Sequence, residues 1–158
     1  INNEIKFLKI LNKKNIGPKL LLSNKGYLIY EFVDGNYIVD YLKDNGKERI
    51  KRALKNIFEQ LFIIDKLKIN KEEMSHPPKH VIIDKKNKPI LIDFERCHKT
   101  EKPSNTTQFC SFLVSNYVRT ILKSNKIKIN KDNIIHAAKI YKKQQDKNNL
   151  NNIIDNIK

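Results

Sequence analysis

Residues 72–95, EEMSHPPKHVIIDKKNKPILIDFE, are the most informative segment of the chain. The segment begins as a polar loop that cannot be helical across Pro77-Pro78, because proline lacks an N–H group and restricts the residue before it. Two short β-branched runs follow, at 81–84 and 89–94, and the polar residues between them predict a tight β-hairpin. The second run ends at Asp93-Phe94, so we expect a carboxylate at the mouth of the sheet.

Elsewhere along the chain, the spacing of apolar residues predicts a small sheet and several helices. Two apolar runs, 19–23 and 26–33, predict a pair of antiparallel strands, and 36–44 predicts a short helix or turn. Apolar residues recurring every three or four positions predict four further helices, at 4–15 (ended by Gly17-Pro18), about 47–68, 109–122 and about 131–157. We therefore predict an α+β fold, with a sheet and one helix near the N-terminus and a mostly helical remainder.

The length and composition favour a single soluble domain. The 158 residues are 39% hydrophobic, and no apolar run approaches the roughly 20 residues of a membrane span. Charged residues throughout the first segment argue against a signal peptide. Two cysteines are too few for a disulfide scaffold, so we expect reduced thiols and a cytoplasmic location. Because the chain begins at Ile1, we expect it to start within a longer gene product.

The chain is strongly basic, yet its charge is weak evidence for a nucleic-acid partner. Lys and Arg number 32 against 17 Asp and Glu, a net charge of +15, and 28 of those 32 are lysines. A skew towards Ile, Lys and Asn is typical of an AT-rich genome and places lysine on every solvated face. A basic surface still attracts phosphate groups.

The loop and hairpin contain the residue types that a phosphoryl-transfer site requires. Asp93 can hold a hard cation, Lys79 can neutralise phosphate oxygens, and Glu72 or Glu73 can accept a proton from an attacking hydroxyl. Catalysis of phosphoryl transfer is mostly positioning and charge neutralisation. The alternative is a structural β-hairpin whose ends happen to be charged.

Three motifs together resemble a known family: EMSHPPKHV at 73–81, DFE at 93–95 and PSNTT at 103–107. They are similar to the small archaeal predicted Ser/Thr protein kinases, relatives of the RIO kinases and of the KEOPS-complex kinase. The resemblance covers residues 4–122. It implies one protein-kinase-like domain over 1–158, with a partial N-lobe at 1–33 (the αC helix and two strands) and a mostly helical C-lobe at 34–158 that contains the catalytic hairpin.

The resemblance also implies a nucleotide site in the first part of the chain. Glu4 takes the place of the αC glutamate, and Tyr30 takes the place of the gatekeeper. The backbone groups of Glu31 and Val33 are expected to bind adenine, with Ile82 beneath the base. As side chains, these residues also fit an ordinary core.

The catalytic and metal-binding roles implied by the resemblance fall on four residues. Asp93 is expected to be the principal Mg²⁺ ligand. His80 stands thirteen residues earlier, at the spacing of a second metal ligand, but imidazole is a poor ligand for Mg²⁺, so contact with phosphate or support of the loop remain alternatives. Glu73 is the candidate base, although it lies two residues further from Asp93 than in ordinary kinases. Lys79 is expected to neutralise the transferred phosphate.

The expected function is therefore an ATP- and Mg²⁺-dependent phosphotransferase of the atypical Ser/Thr protein kinase type, acting on a protein or on itself. Residues 1–158 contain neither a Gly-rich loop nor the N-lobe lysine, so we expect this chain to transfer phosphate poorly. Two alternatives stay open: a kinase-like pseudoenzyme or partner-binding subunit, and an RNA- or ribosome-associated basic module. The motif Ser104-Asn105-Thr106 is expected to be an N-cap cluster for the helix that follows.

Overall fold

The computed structural model describes residues 1–158 and confirms the α+β class. The helices are α1 (Asn2–Asn12), α2 (Ile38–Asp44), α3 (Lys47–Lys66), α4 (Asn105–Leu113), α5 (Asn116–Ser124), α6 (Lys131–Lys143) and α7 (Lys147–Ile154), with a 3-10 helix at Pro77–Lys79. The strands are β1 (Leu20–Asn24), β2 (Tyr27–Tyr30), β3 (Gly35–Tyr37), β4 (Ile69–Asn70), β5 (Val81–Asp84), β6 (Pro89–Leu91) and β7 (His98–Lys99). None of the helices combines the length and the apolar character needed to cross a membrane.

The strands form three small antiparallel sheets: β1-β2, β3-β5-β6 and β4-β7. The first pair and the β5-β6 hairpin confirm the two predicted hairpins. Strand β3 lies where a helix or turn was predicted, and its first residue, Gly35, pairs with Asp84. A Cβ atom at Gly35 would overlap the backbone carbonyl of Ile83, so the absence of a side chain allows β3 to approach β5.

A single apolar core of 37 buried residues holds the elements together. Helix α3 crosses this core, and its apolar residues recur every three or four positions, as the sequence predicts for a buried face. The ring of Phe58 meets Phe109 of α4 edge-on, with 5.1 Å between the ring centroids. Helix α1 joins the same core through Phe7, Leu8 and Leu11.

Helix α1 ends at Asn12, earlier than predicted, and Gly17 does not terminate it. The chain instead turns through Asn15, which has a φ of 57°, to Gly17, which has a φ of 81°. A Cβ atom at Gly17 would lie 2.8 Å from a methyl carbon of Leu8 and 2.9 Å from the ring of Phe94. Gly17 therefore permits close packing beneath the loop that contains Asp93.

Two of the predicted helices are each divided into two. The predicted helix at 109–122 breaks between α4 and α5, where the Ser115 side chain caps α5 by accepting from the Val118 N–H. The predicted helix at 131–157 breaks before α7, where Asp146 accepts from the Asn149 N–H. Both breaks occur where a short polar side chain satisfies the free N–H groups of a new first turn.

The Asp65 carboxylate, at the end of α3, caps helix α4 in place of the side chains of the predicted Ser104-Asn105-Thr106 cluster. Ser104 is the N-cap residue of α4 but makes no side-chain capping bond. Asp65 accepts from the N–H groups of Asn105 and Thr106, and also from the Asn105 amide (2.7 Å), the Thr106 hydroxyl (2.6 Å) and the Tyr141 hydroxyl (2.9 Å). One buried carboxylate thus joins α3, α4 and α6.

The β1-β2 hairpin stands out from the core. Of the hairpin residues, only Leu20 and Leu28 pack against the core, and several large apolar side chains of this region are exposed. The side chain of Phe32, just after β2, is 90% exposed.

Candidate metal and nucleotide site

The loop before the 3-10 helix and the end of the β5-β6 hairpin bring Glu73, His80 and Asp93 together. The His80 Nε2 atom lies 3.1 Å from a Glu73 carboxylate oxygen, and its Nδ1 atom lies 3.6 Å from Asp93 Oδ2. One ligand atom from each residue lies within 4.8 Å of the other two. The hairpin anchors this arrangement, because the Ile92 N–H donates to the His80 carbonyl at 3.0 Å.

Helix α4 holds the other side of the loop. The side-chain oxygen of Asn105 accepts from the Lys71 N–H at 2.7 Å, and that of Gln108 accepts from the Met74 N–H at 3.0 Å. The PSNTT motif therefore has a structural role in this protein, because the Asn105 side chain bonds both Asp65 and the loop.

The backbone at the site adopts conformations that residues with side chains rarely adopt. Glu72, Glu73 and Asp93 have φ values of 66°, 60° and 64°. Each such conformation costs on the order of 1 kcal/mol or more and persists only where the surrounding structure imposes it. Three such residues in one small region indicate that the surrounding packing imposes this backbone conformation.

Both oxygens of the Glu73 carboxylate have partners. Arg96 Nη1 donates to Oε1 at 2.6 Å, and His80 faces Oε2. A base must accept a proton from an attacking hydroxyl, so Glu73 would have to release one of these partners to act. Its assignment as the catalytic base stays a prediction.

The sequence analysis missed Lys71, which lies directly beneath the cluster. Its side chain is 1% exposed, its ammonium donates to the Asp93 carbonyl at 2.6 Å, and it lies 5.1 Å from the centroid of the Phe94 ring. Burial lowers its pKa, while the negative charges of Asp93 and Glu73 oppose that shift. A lysine just before EEM in a lysine-rich chain carries no signal of its own, so only the structure identifies it.

His80 is mostly buried, and its surroundings favour a neutral ring. Burial lowers the pKa of His80, the positive charge of Lys71 lowers it further, and the carboxylates of Glu73 and Asp93 act in the opposite direction. The Nδ1 atom is buried and has no hydrogen-bond partner. A buried ring nitrogen without a partner is uncommon in a well-packed protein.

The donor set only partly fits Mg²⁺. The carboxylates of Asp93 and Glu73 are hard oxygen ligands that suit this ion, whereas the imidazole of His80 does not. The role of second Mg²⁺ ligand predicted for His80 is therefore poorly matched by its chemistry.

Glu4 and Tyr30 lie on the N-terminal side of the same site. The Phe94 N–H donates to Glu4 Oε1 at 3.4 Å, which ties the start of α1 to the residue after Asp93. Burial raises the pKa of the Tyr30 phenol, and the charges of Glu4 and Asp93 raise it further. The end of strand β2 is thus within electrostatic reach of Asp93.

The remaining predicted residues lie outside the cluster. Glu31 and Val33 line a groove of about 400 Å³ beside α1, and the Glu31 carbonyl and Val33 N–H make no hydrogen bond within the protein. Ile82 is half-buried in β5 opposite Tyr37. The Lys79 side chain is exposed and forms no ion pair. Their assigned roles stay predictions.

No family model matches this chain, and no curated protein matches it.

Proposed function

We propose that this protein is a phosphotransferase domain of the atypical Ser/Thr protein kinase type, with ATP and a divalent cation as cofactors. The observation that carries the proposal is the meeting of Glu73, His80 and Asp93 at the end of the hairpin. The proposal includes a kinase-like arrangement in which residues 1–33 correspond to part of an N-lobe.

The charges around the cluster suit a nucleotide polyphosphate. Asp93 is half-exposed and would contribute a carboxylate to the cation that accompanies the nucleotide. Arg96 is largely exposed on the same side, next to Glu73, and offers further guanidinium donors to phosphate oxygens. Lys71 adds a positive charge from beneath, although its ammonium already donates to the Asp93 carbonyl.

The free backbone groups at Glu31 and Val33, in the groove beside α1, support adenine binding there. A carbonyl and an N–H two residues apart on one strand extension can accept from and donate to the edge of a purine. Tyr30, which precedes this segment, lies near enough to Asp93 for burial, Glu4 and the Asp93 carboxylate together to raise the pKa of its phenol. The phosphate acceptor in this proposal is a protein or the chain itself.

The test is calorimetric titration of ATP into the 158-residue chain with Mg²⁺ and, separately, with Mn²⁺. We expect cation-dependent binding that Asp93→Asn weakens at least tenfold, because the substitution removes the charge that holds the cation. Glu95→Gln is the matched control: Glu95 is an exposed acid two residues away whose only ion pair is with the N-terminus, and binding should be unchanged.

Two results would overturn the proposal. One is a folded chain that binds no ATP with either cation, and the other is Asp93→Asn binding as tightly as the parent. The Glu73 carboxylate, with Arg96 on one oxygen and His80 on the other, supports a second candidate, a kinase-like pseudoenzyme that binds ATP with the cation but transfers no phosphate.

A further inference from the structure

The two nitrogens of His80 have different surroundings. Nε2 faces the Glu73 carboxylate at 3.1 Å, whereas Nδ1 is buried, has no hydrogen-bond partner and lies 3.6 Å from Asp93 Oδ2. Because the Glu73 carboxylate is the nearer of the two, we assign the ring hydrogen to Nε2, and Nδ1 then directs a lone pair into the space beside Asp93. A carboxylate oxygen and a lone pair without a donor between them repel each other unless a positive charge joins them.

The separation of these two atoms is that of two ligands on one metal ion. Ligands bound at about 2.1 Å, at angles between 90° and 110°, lie roughly 3.0–3.5 Å apart. A small rotation of the half-exposed Asp93 side chain would bring the 3.6 Å between Nδ1 and Oδ2 into this range.

Glu73 is placed to orient the ring. Histidines that bind metals commonly donate their second ring N–H to a carboxylate, which fixes the tautomer and makes the metal-binding nitrogen more basic. Arg96 holds the other Glu73 oxygen at 2.6 Å and keeps that carboxylate in place. Arg96 thus contacts Glu73, Glu73 contacts His80, and this series of contacts ends at the unpartnered Nδ1 atom of His80.

We propose that His80 Nδ1 and the Asp93 carboxylate bind a first-row transition-metal dication such as Mn²⁺ in preference to Mg²⁺, with Glu73 as the positioning residue for the ring. A nitrogen donor adds little for Mg²⁺, which strongly prefers oxygen, but strengthens binding of transition metals. The role of this site in phosphoryl transfer rests on the proposed function, whereas the choice of metal rests on the His80 nitrogen.

The test measures the ligand directly, without nucleotide or turnover. Mn²⁺ is added to the full chain, its affinity is measured by electron paramagnetic resonance, and electron spin-echo modulation reports whether nitrogen is bound to it. We expect a nitrogen coupling, a dissociation constant at least tenfold lower than that of competing Mg²⁺, and loss of the coupling in His80→Gln. His136→Gln, at an exposed position on α6, should leave both unchanged.

A second measurement needs no substitution. In protein whose histidines carry ¹⁵N, the ¹⁴N modulation should be replaced by the ¹⁵N pattern, which shows that the bound nitrogen belongs to a histidine even if His80→Gln fails to fold. Mn²⁺ bound without nitrogen coupling, no Mn²⁺ binding by the folded chain, or equal affinity for Mg²⁺ would each overturn the inference.

The outcomes separate this inference from the proposed function. Nitrogen-bound Mn²⁺ in a chain that binds no ATP would support the metal site and overturn the phosphotransferase. ATP binding with Mg²⁺ or Mn²⁺ but without nitrogen coupling would overturn the metal assignment and leave the phosphotransferase standing.

Discussion

Removing the Asp65 carboxylate should destabilise the fold strongly, because it is the common acceptor for three helices. Its oxygens accept five hydrogen bonds, from the N–H groups and side chains of Asn105 and Thr106 and from the Tyr141 hydroxyl. Asp65→Ala leaves these buried donors without an acceptor, and each unsatisfied group costs about 1–3 kcal/mol. Because the donors share one acceptor their costs do not add, and we expect a loss of about 3–5 kcal/mol.

Asp65→Asn should cost less, about 2–4 kcal/mol. The amide keeps one acceptor oxygen, but its NH₂ group faces N–H and O–H groups that also donate. Urea unfolding at pH 7 measures both losses as shifts of the midpoint. The exposed Asp44→Asn is the matched control and should stay within about 0.5 kcal/mol of the parent. A loss below about 1 kcal/mol for Asp65→Ala would show that the network does not hold the helices together.

The Asp65 network also predicts a pH dependence. Burial raises the pKa of Asp65 above its usual value of 3.8, and the hydrogen bonds from Thr106 and Asn105 only partly oppose this. Above pH 3.8 the unfolded state therefore releases a proton that the folded state still holds, so the contribution of Asp65 to the free energy of unfolding falls as the pH rises towards the folded pKa. The parent's advantage over Asp65→Asn should be largest in acid and should shrink as the pH is raised; an advantage that grows instead would contradict the raised pKa.

Three further predictions concern close packing and thiol chemistry. Gly35→Ala should lower the free energy of unfolding in urea by about 1–3 kcal/mol, since the added methyl overlaps a carbonyl of β5. Gly26→Ala, with open space around it, should not destabilise the protein. Equal effects of the two substitutions would contradict the packing argument. Gly17→Ala should cost a similar amount, about 1–3 kcal/mol, because of its positive φ and its contact with an aromatic ring, and an unchanged midpoint would refute this. Burial raises the pKa of both Cys97 and Cys110 to about 12, so neither should react with a disulfide reagent at pH 8 until urea unfolds the chain, and rapid labelling of the folded protein would be the contrary result.

The helices that the sequence predicts best are those with uninterrupted apolar periodicity. Helix α3 follows the predicted bounds to within two residues because every third or fourth side chain enters the core. The division between α4 and α5 was missed because the apolar period continues across Ser115. Strands β4 and β7, of two residues each, are set by tertiary contacts and leave no pattern in the sequence.

The candidate site was predictable in part. Glu73 and Asp93 could be named from the residue types of the loop and hairpin, and His80 from the resemblance to protein kinases; the structure brings the three side chains together. The buried position of Lys71 and the pairing of Arg96 with Glu73 depend on how the loop folds over α4. Such contacts join residues more than twenty positions apart, and a single sequence contains no record of them.

The exposed β1-β2 hairpin has a consequence for amide hydrogen exchange. Two strands with few buried side chains form a ribbon of marginal stability, so its amides should exchange by local opening at a much smaller free energy than those of α3. The segment at 31–33 continues directly from this ribbon. A ligand binds there only to molecules in which the ribbon is closed. Its apparent affinity is therefore the intrinsic affinity multiplied by the closed fraction. Substitutions that tighten the ribbon would then strengthen binding without touching the ligand.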